Sequence, residues 1–384
     1  MGPCYRPAVP LYEGDALGKG GVPCLHPAST CRGSALHNRP VLWEHPLEEG
    51  QTMQRRVMKK SKAFLVGTTA LLATLIAPAG AGGAQGLPAA PAPSAGAQLH
   101  AQTLDNLLAA LKGEAYAYAK YNAYAQASSG AIALLFNNTA NEELKDHFAG
   151  FAAAYGLIGT NAANLSAVVS GENYETTTMY PTFAARAKAA GDTKAAQLFS
   201  EIARDEASHR DLFRQALTAI TGGGTAPAGP IVHVVPITRG TSQVKTQTRQ
   251  DLLTAMHGEA FAHALYLTYA QAAQARGSAN LAKLFQHTAT VELREHFAAE
   301  ANLAGLVGTD RSNLVSAVAG ETNESKVIYP TAARQANAAG ERPYVGNLFM
   351  RTANQEARHA THFTAAITGS CNCPCPYRTC PWQS

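Results

Sequence analysis

A chain of 384 residues is long enough for two or three domains; its 46% hydrophobic and 15% charged residues suit well-buried helices rather than disorder. The net charge of +4 is weak for this length, and there is no basic stripe with interleaved aromatics, which argues against nucleic acid as a partner.

Residues 1–52 are rich in Pro and Gly without sustained periodicity and read as a non-structural or mis-called N-terminal extension. Residues 53–81 read as an export signal: Arg55, Arg56, Lys59, Lys60 and Lys62 precede an apolar run from Ala63 to Ala77, and Ala79-Gly80-Ala81 offers a small-x-small cleavage site. The run is shorter than the roughly 18–20 residues of a membrane span; a short anchor or a buried helix is the other reading. A signal belongs at an N-terminus, so the expected start is Met53 or Met58. Arg55-Arg56 is also a partial match to a twin-arginine signal. The expectation is an exported protein, periplasmic or extracellular, with no membrane attachment once the signal is removed. Residues 82–102 form a Pro/Ala/Gly linker.

The next segment is repeated. Residues from about 103 to 220 align with about 248 to 367, at an offset growing from 145 to 150: "LLAALKGEAYAYAKY" with "LLTAMHGEAFAHALY", "YPTFAARAKAAG" with "YPTAARQANAAG", "DEASHRDLF" with "QEARHATHF". In the first copy, apolar spacing predicts helices over about 103–127, 131–155 and 193–220, with a third starting near Asn161 and running toward Tyr180-Pro181 or beyond with a kink. No stretch alternates like a strand. The expectation is an all-α protein of two tandem four-helix bundles, 103–221 and 248–368, joined by a linker over 222–247. The apolar stretch Ile231 to Ile237 in that linker has no obvious place. Residues 369–384 hold Cys371, Cys373, Cys375 and Cys380, which could bind a metal, form disulfides or belong to an unstructured tail; the spacing is not a paired C-x-x-C.

The polar residues on these helices fall into a pattern. Glu114 stands among small and aromatic neighbours on the first helix, Glu172 and Glu175 lie at i and i+3 on the third, and Glu206 and His209 at i and i+3 on the fourth. That spacing aims both side chains from one helix face. Carboxylates converging in a bundle core would repel one another and lose hydration, a problem that a divalent metal pair removes. A lone Glu-x-x-His is usually a solvated surface pair, but Glu259, Glu321, Glu324, Glu356 and His359 restore the set in the same order, whereas Lys120 becomes Leu265 and Arg210 becomes Ala360.

"GENYETTTMYP" followed by "DEASH" resembles rubrerythrin, the ferritin-like non-haem di-iron proteins, and the resemblance covers both repeats, roughly 235 residues. It implies two ferritin-like bundles, each with two Fe (or Mn). The implied ligands are Glu114, His147, Glu172, Glu175, Glu206 and His209 in the first repeat, and Glu259, His296, Glu321, Glu324, Glu356 and His359 in the second. Tyr121, Tyr180, Tyr266 and Tyr329 match tyrosines that flank the family's metals. The family's bridging carboxylate on the second helix, three residues before the histidine, is replaced by Leu144 and Leu293. Glu143 and Glu292 stand one residue earlier; they could reach the site through a rotated helix or local bulge, or be solvated. The resemblance implies an oxidoreductase that reduces peroxide or dioxygen or oxidises ferrous iron, fed by an external electron donor because the cysteine tail matches no rubredoxin domain. A homo-oligomer is compatible with it. The alternatives are a non-catalytic iron-binding or storage protein and a helical interaction module that has lost its metals. His233, His257, His263, His287 and His362 fall in no repeated ligand pattern and read as surface or packing residues.

Overall fold

The computed structural model describes residues 99–369; the expected N-terminal extension, the expected export signal, most of the expected 82–102 linker and the cysteine tail lie outside the described residues. Eight long helices account for most of them, and there is no strand among them. In the first repeat, α1 is Ala101–Ala127. The second helix, α2, runs Gly130–Glu142, then a π-helical turn Glu143–Phe148, then Ala149–Tyr155. Helix α3 runs Asn161–Tyr174, a π turn Glu175–Met179, and Tyr180–Ala190; α4 is Thr193–Thr221. The second repeat gives α5 (Thr246–Ala275), α6 (Ala279–Val291, π turn Glu292–His296, Phe297–Ala304), α7 (Asp310–Asn323, π turn Glu324–Ile328, Tyr329–Ala338) and α8 (Pro343–Thr368). Local chemistry sets their ends. Thr160 and Thr309 cap α3 and α7 through their hydroxyls, and Gly156 ends α2 at φ 74°, a left-handed value that glycine adopts without Cβ strain. Pro181 and Pro330 do not break α3 and α7, because each falls in the first turn after a π turn, where the regular amide ladder is already interrupted.

Two four-helix bundles are present, but the repeats do not form one each. The α1–α2 hairpin packs against α7 and α8 of the other repeat, and α5–α6 packs against α3 and α4. Aromatic contacts trace the exchange: Phe151 lies 5.5 Å from Tyr329 and 5.3 Å from Phe349, Tyr121 and Phe136 each lie 5.3 Å from Phe363, and Phe213 lies 5.4 Å from Tyr266 and Phe285. The assignment of 103–221 and 248–368 to separate bundles is therefore corrected: each bundle takes one hairpin from each. Loop reach explains it. A ferritin-like bundle needs one long connection between its second and third helices. The three stretches of α2, of 13, 6 and 7 residues, make a rod about 39 Å long at about 1.5 Å per residue. Residues 156–160 span at most about 17 Å, too little to run back along it. Helix α3 therefore leaves its own hairpin and enters the other bundle, and 305–309 impose the same on α7.

The linker is a strap along α6. Val235 N donates to Arg294 O (2.8 Å), Gly240 N to Val307 O (2.9 Å) and Thr238 N to Asn302 Oδ1 (2.8 Å). Ile237 packs partly into the core, whereas Ile231 and Val234 are exposed. Gly305 (φ 63°) makes the close approach possible, since a Cβ there would lie 2.3 Å from Ser242 N.

Candidate metal centre

Each bundle closes around a buried cluster of carboxylates and imidazoles drawn from both repeats. In the first, the His147 Nδ1 stands 2.7 Å from Glu143 Oε2, 2.9 Å from Glu356 Oε1 and 3.4 Å from Glu114 Oε2. His359 Nδ1 stands 2.9 Å from Glu356 Oε2, 3.2 Å from Glu143 Oε1 and 3.4 Å from Glu321 Oε2. In the second bundle His296 Nδ1 faces Glu206 Oε1 (2.9 Å), Glu292 Oε2 (2.9 Å) and Glu259 Oε2 (3.5 Å). His209 Nδ1 faces Glu206 Oε2 (2.9 Å), Glu292 Oε1 (3.1 Å) and Glu172 Oε2 (4.0 Å). Glu143 and Glu356 thus each turn one oxygen to either histidine, and Glu206 and Glu292 do the same in the second bundle. Each bundle holds two four-residue donor groups that share two carboxylates: Glu114, Glu143, His147, Glu356 with Glu143, Glu321, Glu356, His359; and Glu172, Glu206, His209, Glu292 with Glu206, Glu259, Glu292, His296. Two shared carboxylates between two donor groups is the layout of a bridged metal pair.

The π turns put Glu143 and Glu292 there. A π turn takes in one residue more than an α turn, so a carboxylate four residues before the histidine comes close to where one three residues before it stands on an α-helix. Both are buried, and Leu144 and Leu293 pack against the apolar cores instead. The structure brings twelve of the fourteen sequence-predicted donors into the four groups. Glu175 and Glu324 stand outside them: Glu175 is buried nearby, and Glu324 is partly exposed. All four tyrosines bind a carboxylate of the opposite repeat: Tyr121 donates to Glu321, Tyr329 to Glu114, Tyr180 to Glu259, and Tyr266 to Glu172 at 2.6 Å.

The donor chemistry fits a cation pair. Both oxygens of Glu143 and Glu292, Glu206 Oε1, Glu356 Oε1, and Nδ1 of His147 and His296 are buried without a hydrogen bond. At His147 and His296 the nitrogen stands at contact distance from several oxygens, yet the directions are not those of N–H donation, as when lone pairs converge on a common point; at His209 and His359 Nδ1 hydrogen-bonds one carboxylate, Glu206 or Glu356, at 2.9 Å. An imidazole nitrogen carries at most one proton and cannot satisfy three carboxylates. Burial pushes Glu172, Glu175, Glu324 and Glu356 well above the usual carboxylate range, with neighbouring carboxylates adding to it. Burial likewise raises Glu114 to about 7 and Glu259 to about 8. It would also raise Glu143, but the imidazoles of His147 and His359 outweigh it and hold that carboxyl at about 2. Burial opposes charge on His147, His296 and His359, yet the surrounding carboxylates push all three up. Protons are thus held where two divalent cations would otherwise offset the charge.

Sequence reasoning missed two groups. Glu300, on α6 one turn beyond His296, is fully buried and lies 3.0 Å from the Tyr180 hydroxyl; its repeat partner is Phe151, so the repeat pattern hides it. Glu142 Oε2 lies 3.1 Å from His359 Nε2, the ring nitrogen facing away from the cluster; only the exchange of helices makes that pair.

The rubrerythrin family model matches the chain twice, at residues 105–217 and 251–367. The chain is 34% identical over 156 residues to nigerythrin of Nitratidesulfovibrio vulgaris, covering 35% of this chain and 73% of that protein. It is 33% identical over 139 residues to rubrerythrin of Porphyromonas gingivalis, covering 32% of this chain and 69% of that one. No solved structure matches it significantly. With two matched segments and two buried clusters of the di-iron donor type, the chain belongs to the rubrerythrin family.

Proposed function

We propose that this protein is an exported redox protein with a metal pair, iron by family, in each bundle, reducing peroxide or dioxygen or oxidising ferrous iron with electrons from an external donor. The observation that carries the reading is the pair of shared carboxylates in each cluster, Glu143 with Glu356 and Glu206 with Glu292. Carboxylate and imidazole donors suit iron or manganese, and a reduced di-iron centre supplies the electrons that reduce the oxidant. The chain's own groups hold the centre together. Glu143, Glu356, Glu206 and Glu292 would bridge; His147, His359, His209 and His296 with Glu114, Glu321, Glu172 and Glu259 would fill the ends. The four tyrosines orient the end carboxylates through their hydroxyls. Tyr124, Phe136 and Phe363 beside Tyr121, and Phe183 and Phe199 beside Tyr180, wall the sites with apolar rings and keep bulk water out. The basic and apolar segment at residues 53–81 supports export. Anaerobic ferrous loading of the metal-free chain tests the reading. About four irons per chain and rapid oxidation by added peroxide are expected; fewer than one iron per bundle would refute it, and full loading with no oxidant turnover would leave iron storage as the function.

A further inference from the structure

The two bundles match donor for donor, but the residues just outside them do not. Beside the Glu259 end of one, Tyr180 has two carboxylates within reach: Glu259, to which it donates, and Glu300 Oε1 at 3.0 Å. Glu300 is fully buried, and its Oε2 has no hydrogen-bond partner. At the matching place in the other bundle Tyr329 donates to Glu114 and otherwise meets the rings of Phe151 and Phe349, 5.5 and 6.2 Å away. The second difference is a cation. Lys120 Nζ sits 4.6 Å over the Tyr121 ring, whose hydroxyl binds Glu321, and its charge acts on Glu324. In the other bundle that place belongs to Leu265, buried and neutral. One centre therefore has an added carboxylate at its edge and the other an added amine.

We propose that the two centres are unequal, and that the one holding Glu259 and Glu172 takes up divalent metal before the one holding Glu114 and Glu321. The inference rests on the di-metal reading above. Two physical effects act in the same direction. A phenol has one proton to donate; when Glu259 turns to a cation, Tyr180 can give that proton to Glu300, so the release of Glu259 leaves no hydroxyl stranded. Tyr329 has no second acceptor, so freeing Glu114 strands its hydroxyl in an apolar wall. In addition, Lys120 repels a cation from the other centre, with little water to screen it. Glu300 is thus a positioning residue acting on Glu259 through Tyr180.

Anaerobic titration of the metal-free full chain with Co(II), followed by its visible absorption and by metal analysis, tests this. Two phases of about two ions each are expected, separated by tenfold or more in affinity. Glu300→Leu removes the second acceptor and should weaken the tight phase alone by about tenfold, with Glu300→Gln, which keeps an acceptor oxygen, restoring it. Lys120→Leu, copying the residue of the other bundle, should tighten the weak phase alone by a similar factor and carries the test should Glu300→Leu not fold. A single phase of about four ions that ignores both substitutions overturns the inequality and leaves the metal centres standing, as does a Glu300→Leu effect confined to the weak phase. Fewer than one Co(II) per bundle overturns the di-metal reading and the inequality with it.

Discussion

Residues 99–224 comprise one whole repeat, yet the structure predicts that alone they cannot fold as a monomer. In that fragment α1 and α2 lose α7 and α8, and α3 and α4 lose α5 and α6. Leu107, Leu111, Phe148 and Phe151, all at or near zero exposure, lie in a core completed by Tyr329, Val345 and Phe349 of the missing repeat. At about 1.5–3 kcal/mol for each large apolar side chain returned to water, these four residues alone forfeit about 6–12 kcal/mol. That equals the whole stability of an ordinary domain, about 5–15 kcal/mol. Phe213 suffers the same loss, and Glu114, Glu143 and His147 lose their partners. The remaining route to burial is a second copy. The fragment should be a helical dimer that exchanges hairpins, or else largely unfolded, with dimerisation restoring helicity as concentration rises. Light scattering behind size-exclusion chromatography, with far-UV circular dichroism across a concentration series, measures both. A helical monomer with a cooperative, concentration-independent melt would refute the helix exchange.

Glu206→Ala with Glu356→Ala removes one shared carboxylate per centre and should cut metal content by at least half and abolish most of the rise in melting temperature that metal gives. Glu143→Ala with Glu292→Ala should do the same, since both are buried in the clusters; metal content equal to the parent's would show that they are not ligands. Glu114 and Glu259 hold protons up to about pH 7 and 8 in the metal-free sites, so metal must displace them. Affinity should climb as pH rises to about 8 and fall below 7, with protons released on loading, and a flat pH profile in calorimetry would contradict this. His263 donates to Ala289 O at 2.6 Å, and burial lowers its imidazole to about 4. A histidine depressed in the folded state is neutral there while the unfolded chain protonates near 6.5, so stability is lost as pH falls from 6.5 to 4, by about 3 kcal/mol at about 1.4 kcal/mol per unit. His263→Phe should remove that slope from the difference between the two proteins' denaturation curves; identical slopes would show that His263 is not the source.

The sequence by itself determined much that is local. Helical periodicity, Gly156 and Gly305, and the capping Thr160 and Thr309 mark eight helices, because spacing along one helix decides which face is buried. The same spacing, repeated about 150 residues later, singled out Glu114, Glu172, Glu206 and His209 with Glu259, Glu321, Glu356 and His359, which converge in the structure, and the family resemblance added His147 and His296. Three features belong to the tertiary structure. The π turns that swing Glu143 and Glu292 inward depend on how α2 and α6 settle against their neighbours, and an i−4 carboxylate alone does not reveal them. Glu300 is recognisable only once its side chain is seen beneath Tyr180. The partner of each hairpin is decided across the molecule: both repeats present nearly the same apolar faces, so composition and periodicity cannot choose between a bundle made within a repeat and one made between them. The choice falls to reach, five residues against a rod about 39 Å long, which turns two repeats in tandem into two bundles that neither repeat can close alone.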